Sequence, residues 1–143
     1  MKKRIVYTIL TLLWMLVIFL MSAQTADVSG KESSAVTEKI VGLFVENPSA
    51  QTIDTIETIV RKICHFLEYA LMCFLCYHTF RSYGVKGKKI AFCILVTVAY
   101  AVTDEIHQYF VPGRACRAFD VLIDTIGALC GYLIAKVLKF KKT

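Results

Sequence analysis

Residues 90–108 read IAFCILVTVAYAVTDEIHQ, an apolar stretch that ends in two acids, a histidine and a glutamine. The purely apolar part, residues 90–102, would make a helix of about 20 Å at a rise of about 1.5 Å per residue. That is shorter than the roughly 30 Å hydrocarbon core of a bilayer. If this segment crosses a membrane, it carries Asp104 and Glu105 into the outer region of that membrane. Carboxylates there are costly and usually functional.

The composition of the chain indicates one integral membrane domain. Its 143 residues are 57% hydrophobic and include only two prolines, which is too apolar for an ordinary soluble domain of this size. The formal net charge is +6, but the basic residues flank apolar runs and form no patch interleaved with aromatic residues. We therefore expect no nucleic-acid partner. We predict an all-α fold, with residues 1–143 as a single domain surrounded by membrane lipids.

Four apolar segments predict a bundle of four transmembrane helices, because each is close to the roughly 20 residues that a span requires. These segments are residues 5–22, 63–80, 90–110 and 119–138. The first also resembles a secretory signal. We prefer a retained span, since its apolar run is longer than a signal core of about 7–15 residues.

Residues 29–60 predict an extracellular helical segment between the first two spans. Ser29 and Glu32 have the spacing of a helix-start capping box, and Pro48 is expected to end that helix. A second helix, starting near Ile53, is expected to continue into the second span. The segment is either a lid or a hairpin lying on the membrane surface.

The distribution of charge predicts the topology. All eleven acids lie within residues 27–68 or 104–124, whereas residues 1–4, 81–89 and 136–142 contain only basic charge. Basic segments stay preferentially in the cytoplasm, so both termini are expected inside and the acids outside. Residues 81–89 are interpreted as a simple basic connector, and His78 beside them as a residue of the membrane interface.

Acidic and polar side chains recur at helical spacing on three of the predicted spans. On the second span, one helical face carries Lys62, His65, Glu68 and Tyr69. On the third, Asp104, His107 and Gln108 share a face, while Glu105 points about a quarter-turn away. All of these are expected at similar depth near the outer side.

The fourth span places Asp120 and Asp124 one helical turn apart, above Gly127 and Gly131. Two glycines at this spacing favour close packing on another helix, so the aspartates are expected to face the interior of the bundle. Between the third and fourth spans, Pro112 and Gly113 permit a tight return that aims Arg114 at the acids. Its planar fork of donors suits a carboxylate or a phosphate.

These groups are the predicted site. The expected catalytic residues are His65, Glu68, Asp104, Glu105 and Asp120, with His65 and Glu68, or Asp104 and Glu105, acting as acid, base or metal ligands. The expected substrate-binding residues are Lys62, Tyr69, Gln108, Arg114 and Asp124. The acids with His65 and His107 could also bind a divalent metal, although none of their spacings is a recognised metal signature.

Two other interpretations remain open at this stage. The charges could form a purely structural cluster, because buried charges are normally paired. Intramembrane acids can also mark an ion or proton pathway. No ionisable residue continues that path through the inner halves of the third and fourth spans, which argues against it.

Three segments resemble the VanZ-like family of bacterial membrane proteins: RKICHFLEY at 61–69, YAVTDEIHQYFVPGR at 100–114 and DVLIDTIG at 120–127. The resemblance implies a small polytopic protein of the bacterial cytoplasmic membrane, and the namesake of the family is associated with resistance to the glycopeptide teicoplanin. The resemblance does not indicate a particular chemical reaction. The matching positions are Lys62, His65, Glu68, Tyr69, Asp104, Glu105, Gln108, Phe110, Pro112, Arg114, Asp120 and Gly127. At position 124 this chain has an aspartate, whereas asparagine is common at that position in the family.

Together these features predict an outward-facing site that binds or modifies a cell-envelope molecule, either a lipid-linked intermediate with an anionic head group or a glycopeptide. The alternative is a non-enzymatic membrane protein whose polar cluster is structural and which binds a drug, lipid or partner protein. The sequence does not distinguish these, and it leaves the oligomeric state undetermined.

Overall fold

The computed structural model describes residues 1–43 and 49–138, apart from the side chains of Glu32 and Ile40. Within these residues all regular structure is helical, which confirms the all-α prediction. The helices are α1 (Lys2–Ser22), α2 (Ala26–Val41), α3 (Ala50–Ser82), α4 (Phe92–Tyr109) and α5 (Ala118–Val137). A short 3-10 turn, Gly87–Ala91, leads into α4.

Three helical segments of the described chain are long and apolar enough to cross a membrane: Lys2–Ser22, Gly87–Tyr109 and Ala118–Val137. They correspond to the first, third and fourth predicted spans. Large apolar side chains such as Leu12, Leu95 and Leu133 are more than half exposed on their surfaces. Such exposure suits a lipid environment. Helix α3 does not meet the same criteria, so the second span, residues 63–80, stays a prediction.

Helix α3 occupies the centre of the bundle. It is 33 residues long and begins where the Ser49 hydroxyl accepts a hydrogen bond of 3.2 Å from the Thr52 N–H. This continuous helix confirms the prediction that the segment near Ile53 runs on into residues 63–80. The other four helices all contact α3, and Met72 and Cys73 in its middle are completely buried.

Helix α5 packs most closely against α3. A Cβ atom added at Gly127 or Gly131 would collide with the backbone of Phe66 or Ala70. The predicted close packing of the two-glycine stripe is therefore confirmed. This close contact leaves no room for side chains at the two glycines. It also brings Asp124 and Asp120, one and two turns before Gly127, close to α3.

Helix α1 runs antiparallel to α3. The Arg4 Nε donates to the Ser82 carbonyl at 2.9 Å, and Trp14 Nε1 donates to the Glu68 carbonyl at 2.9 Å. Between these two bonds, the Thr11 hydroxyl lies 2.9 Å from the hydroxyl of a threonine on α3. The bundle therefore has an acidic end, where α3 and α5 begin, and a basic end, where α1 and α4 begin.

Helix α2 does not begin at the predicted capping box. It begins at Ala26, one turn earlier, so the expected start at Ser29 is wrong. The reason is a tertiary contact: the Ala26 N–H donates to the Pro112 carbonyl at 3.2 Å. The helix ends at Val41, and Pro48, its predicted end, lies outside the described residues.

His78, which the sequence predicted at the membrane interface, is buried among aromatic rings at the basic end of the bundle; its depth in a membrane stays a prediction. It is only 6% exposed. Its ring lies 5.2 Å from the Tyr7 ring, 4.6 Å from the Phe74 ring and 5.4 Å from the Tyr77 ring. Because an aromatic residue of α1 covers it, His78 belongs to the core at the basic end.

Candidate functional site

A cavity of about 230 Å³ lies at the acidic end, where four helices and the α4–α5 loop converge. We call it the acidic-end cavity. Its walls are formed by Ile18, Met21, Ser22, Gln24, Ser29, Ser33, Val36, Val60, Arg61, Cys64, His65, Glu68, Asp104, Gln108 and Arg114. Helix α2 covers one side of it, as a lid would.

A second cavity of about 100 Å³ adjoins the first and has Arg61, His65, Gln108 and Arg114 as shared walls. Its other lining residues include Lys62 and Asp120. Seven of the ten predicted site residues line one or both of these adjacent spaces, whereas Tyr69, Glu105 and Asp124 line neither. Their roles in binding or catalysis stay predictions.

Two close pairs of titratable side chains join α3 to α5 beside the cavities. Lys62 Nζ lies 3.5 Å from Asp120 Oδ1 and 4.4 Å from the centre of the Phe119 ring. His65 Nδ1 lies 3.5 Å from Asp124 Oδ1, and the Asp124 side chain is only 1% exposed. Asp124 is therefore a buried partner of His65 and is closed off from a ligand in the cavity.

Asp104 is held by its own helix. Gln108 Nε2, one turn later, donates to Asp104 Oδ2 at 3.0 Å, and both residues line the acidic-end cavity. The Tyr69 hydroxyl lies beside Asp104 without satisfying hydrogen-bond geometry. Tyr69 is completely buried, so its predicted contact with substrate would require movement of the surrounding helices.

Glu105 occupies a different environment from Asp104. It is 1% exposed, and its Oε2 accepts a hydrogen bond of 2.9 Å from the Arg117 N–H at the start of α5. The N–H groups at a helix start lack partners within the helix and favour negative charge. The geometry thus gives Glu105 a role in positioning α5, and its catalytic role stays a prediction.

His107 points towards α1. Its Nδ1 lies 3.3 Å from the Ser22 hydroxyl, and its ring centre lies 4.7 Å from that of Phe19. Among the described residues, no group of three or more His, Cys, Asp or Glu side chains has a geometry that could hold a metal ion. The suggested divalent metal site therefore gains no support from this arrangement.

Arg114 lies where the sequence predicted, facing both cavities. The preceding Gly113 has φ +77°, and an added Cβ there would lie 2.8 Å from the Ala26 Cβ, so the turn requires glycine. The guanidinium donates to the Ser29 hydroxyl and the Met21 carbonyl, both at 3.4 Å. These two contacts hold the half-buried side chain against α1 and α2.

The charge of Arg114 is not matched by an adjacent acid. No carboxylate among the described side chains lies within ion-pair distance of it, and its Nε has no hydrogen-bond partner there. Burial lowers the pKa of the Arg114 guanidinium and the neighbouring Arg61 lowers it further, whereas the charges of Asp104, Glu105 and Glu68 raise it. Guanidinium groups remain charged in proteins, so Arg114 is a cation that these acids compensate only at a distance, without a described ion pair.

Sequence reasoning missed the contributions of α1 and α2 to the cavity. Ser22 and Gln24 come from the end of α1, and Ser29 and Ser33 from successive turns of α2. The four-residue spacing of the two serines was a detectable signal. Which helix they would face was not detectable, because it depends on how the α4–α5 loop positions α2.

Apolar helices that surround polar cavities define this molecule as an all-α membrane protein. The model of the VanZ/LLP1 family matches residues 7–139, nearly the whole chain. The chain therefore belongs to the VanZ/LLP1 family, as the resemblance predicted. No curated protein and no solved structure shows significant similarity to it.

Proposed function

We propose that the acidic-end cavity binds a cell-envelope molecule through an anionic head group. The observation that carries this proposal is the guanidinium of Arg114, half-buried at the cavity wall with an unpartnered Nε and no adjacent described carboxylate. A partly buried cation in this state is stabilised by an anion, and a guanidinium binds a phosphate or carboxylate through paired hydrogen bonds.

Other residues that line the cavity add hydrogen-bond acceptors. Glu68 and Asp104 lie there with His65, and these groups suit the hydroxyl or amide donors of a sugar or peptide. Ile18 and Val36 supply apolar surface for a lipid chain. A lipid-linked envelope intermediate, which combines an anionic group, a polar head and a chain, has this composition.

The size of the cavity favours a head group over a whole antibiotic. Typical ligand pockets measure about 300–1,000 Å³, and the acidic-end cavity measures about 230 Å³. A glycopeptide would extend far beyond it. A link between this chain and teicoplanin resistance stays a prediction from the family resemblance.

The arrangement of pairs supports a second candidate, a non-enzymatic protein with a structural polar cluster. Asp120, Asp124 and Glu105 each have a partner on another segment, and two of these contacts join α3 to α5. Of the predicted catalytic residues, His65, Glu68 and Asp104 line the acidic-end cavity. Catalysis would depend on these three.

The proposed topology places the acidic end outside and both termini in the cytoplasm of a bacterial cell. The up-and-down order of α1, α3, α4 and α5 supports it, since that order gathers the basic residues of α1, the 81–89 turn and α5 at one end. Helix α3 would be the fourth span, and α2 would lie outside.

Binding can be tested with a polyprenyl diphosphate added to the purified protein in detergent. Trp14 is the single tryptophan, and its bond to Glu68 makes its fluorescence a reporter of this cavity. Arg114→Lys keeps the positive charge but removes the planar guanidinium that forms paired hydrogen bonds. We expect it to weaken the affinity for the polyprenyl diphosphate about tenfold. The control change Lys31→Gln, on the exposed surface of α2 and outside the lining of the three cavities, should alter it less than about twofold. Equal effects of the two changes would overturn the proposal.

Binding and catalysis can then be separated in cells that show a phenotype dependent on this protein, such as altered teicoplanin susceptibility. If Glu68→Gln and Asp104→Asn keep that phenotype while Arg114→Lys loses it at normal expression, the cavity binds without acid–base chemistry. If all three changes abolish it in folded protein, a reaction at the cavity is supported.

A further inference from the structure

A larger cavity, about 1210 Å³, lies at the basic end of the bundle. We call it the basic-end cavity. It opens between the start of α1, the end of α3, the turn before α4 and the last turns of α5. Its lining includes the aromatic residues Tyr7, Tyr77, His78 and Tyr132. The turn that the sequence predicted as a simple connector is thus one wall of a cavity.

Seven cationic side chains line this cavity. Three come from the start of α1, one from the end of α3, two from the turn and one from α5: these are Lys2, Lys3, Arg4, Arg81, Lys86, Lys88 and Lys136. The sequence contains no acid in residues 1–26, 69–103 or 125–143. The described segments that line the cavity therefore contribute no acidic side chain, and their summed positive potential attracts anions.

Several of these cations are held in place. Arg4 Nε donates to the Ser82 carbonyl at 2.9 Å, and Arg81 Nη1 donates to the Tyr77 hydroxyl at 3.4 Å. Lys136 Nζ lies 6.0 Å from the centre of the Tyr132 ring, within reach of a cation–π interaction. Contacts from three helices thus position charge around one space. This is a better defined arrangement than a row of solvated lysines.

Apolar surface lies directly beside the charge. Val85 and Ile90 form part of the cavity wall. Ile5 on α1 and Val137 on α5 are 53% and 80% exposed at the same end of the bundle. A ligand with an anionic head and apolar chains would place the head among the cations and the chains along these helices.

We propose that the basic-end cavity binds the phosphate-bearing head group of an anionic phospholipid. Basic pockets between transmembrane helices are suited to such head groups, and each cation near a membrane surface adds to their attraction. The volume exceeds what a lone phosphate requires and suits a complete head group. This site is separate from the acidic-end cavity and does not depend on the function proposed for it.

Native mass spectrometry of the full-length protein, titrated in detergent with phosphatidylglycerol or phosphatidylcholine, tests this assignment. We expect tight phosphatidylglycerol adducts and at least tenfold weaker phosphatidylcholine adducts. The triple variant Lys86→Gln, Lys88→Gln and Lys136→Gln should weaken phosphatidylglycerol binding about tenfold. A matched triple variant, Lys31→Gln, Lys39→Gln and Lys89→Gln, removes the same charge from exposed positions outside the cavity and should change it less than about twofold.

Both triple variants alter exposed side chains, and their thermal unfolding in detergent verifies that they are folded. Equal loss of binding in the two variants would show general charge attraction and overturn the proposal. Equal binding of the two lipids would also overturn it. Inorganic phosphate is the third probe: if it stabilises the protein as much as phosphatidylglycerol does, the site takes a soluble phosphate, and the assignment to a lipid is wrong.

Discussion

The two ends of this bundle use charge in opposite ways. At the acidic end, acidic and basic side chains form close pairs between α3 and α5. The acidic-end cavity is small, about 230 Å³. At the basic end, seven cations line a space of about 1210 Å³, and no acidic side chain is among its described lining residues. Opposite charges draw helices together, whereas like charges favour separation and an added anion. The two charge patterns match the two proposals, a small mixed-charge site at the acidic end and a larger, purely cationic site for a phospholipid head group at the basic end.

The largest loss of stability should come from disrupting the close contact between α3 and α5, which run the length of the bundle between its two ends. Gly131→Ala adds a Cβ that collides with the Ala70 backbone, so α5 must move away from α3. We expect a loss of about 3 kcal/mol in unfolding free energy, the upper part of the usual range for overpacking. Denaturant titration in detergent micelles measures it.

Gly30→Ala is the control for this change. It makes the same substitution in helix α2, where an added Cβ meets no described atom within 4 Å. It should stabilise the protein by up to about 1 kcal/mol, because alanine is the better helix former. If Gly131→Ala and Gly30→Ala changed the free energy of unfolding equally, the contact between α3 and α5 would not be a tight one.

A smaller loss should follow from breaking the buried pair of the acidic end. Asp124→Ala removes the carboxylate beside His65, where the side chain is 1% exposed, and should cost about 2 kcal/mol. Asp120→Ala removes the partner of Lys62, a more exposed pair, and should cost less than about 1 kcal/mol. Comparison of their denaturation midpoints checks this, and an equal cost would mean that burial does not distinguish the pairs.

The attachment of α2 should depend on pH. The hydrogen bond from Ser33 (2.6 Å) lowers the pKa of Glu57 against the opposing effect of burial, and Ser34 and Arg61 lower it further. A lowered pKa stabilises the contact above the unfolded-state pKa, near 4.5, and this stabilisation disappears as pH falls through the folded-state value. The expected contribution is about 1 kcal/mol.

Hydrogen exchange in α2, measured between pH 6 and pH 3, tests this dependence after correction for the intrinsic exchange rate. Protection of α2 should fall as the solution is acidified. Glu57→Gln should remove most of the dependence, whereas Asp54→Asn, on the same helix, should leave it intact. Identical profiles for the two variants would contradict the assignment to Glu57.

The smallest effect concerns repulsion at the basic end. In neutral detergent at low salt, Lys86→Gln and Lys88→Gln together should raise the unfolding free energy by about 0.5 kcal/mol, because two like charges are removed from a crowded cavity. Added salt should abolish the gain by screening. A stabilisation that persists at high salt would have to come from another cause.

The positions of the helices were largely predictable, because apolar length and helical spacing are local properties. The glycine stripe at Gly127 and Gly131 also predicted a close contact correctly, since missing side chains allow backbones to approach. The start of α2 was not predictable. It is set by the carbonyl of Pro112, more than eighty residues away in sequence.

In the candidate site, too, local sequence predicted some features and tertiary contacts decided others. Helical spacing correctly brought Asp104 and Gln108 together on one helix. It could not show that Glu105 holds the start of α5 or that His107 contacts α1, because those directions depend on neighbouring helices. The burial of His78 was missed for the same reason, since Tyr7 of α1 covers its ring.

The sequence by itself determined the all-α membrane class, the family, and the segregation of acids from purely basic segments, because these follow from composition and order along the chain. Only the tertiary structure decided which charges are paired and which face open space. Pairing depends on distances of a few ångströms between side chains on different helices. Those distances left Arg114 without an ion pair among the described side chains at one end and grouped scattered lysines and arginines around a single cavity at the other.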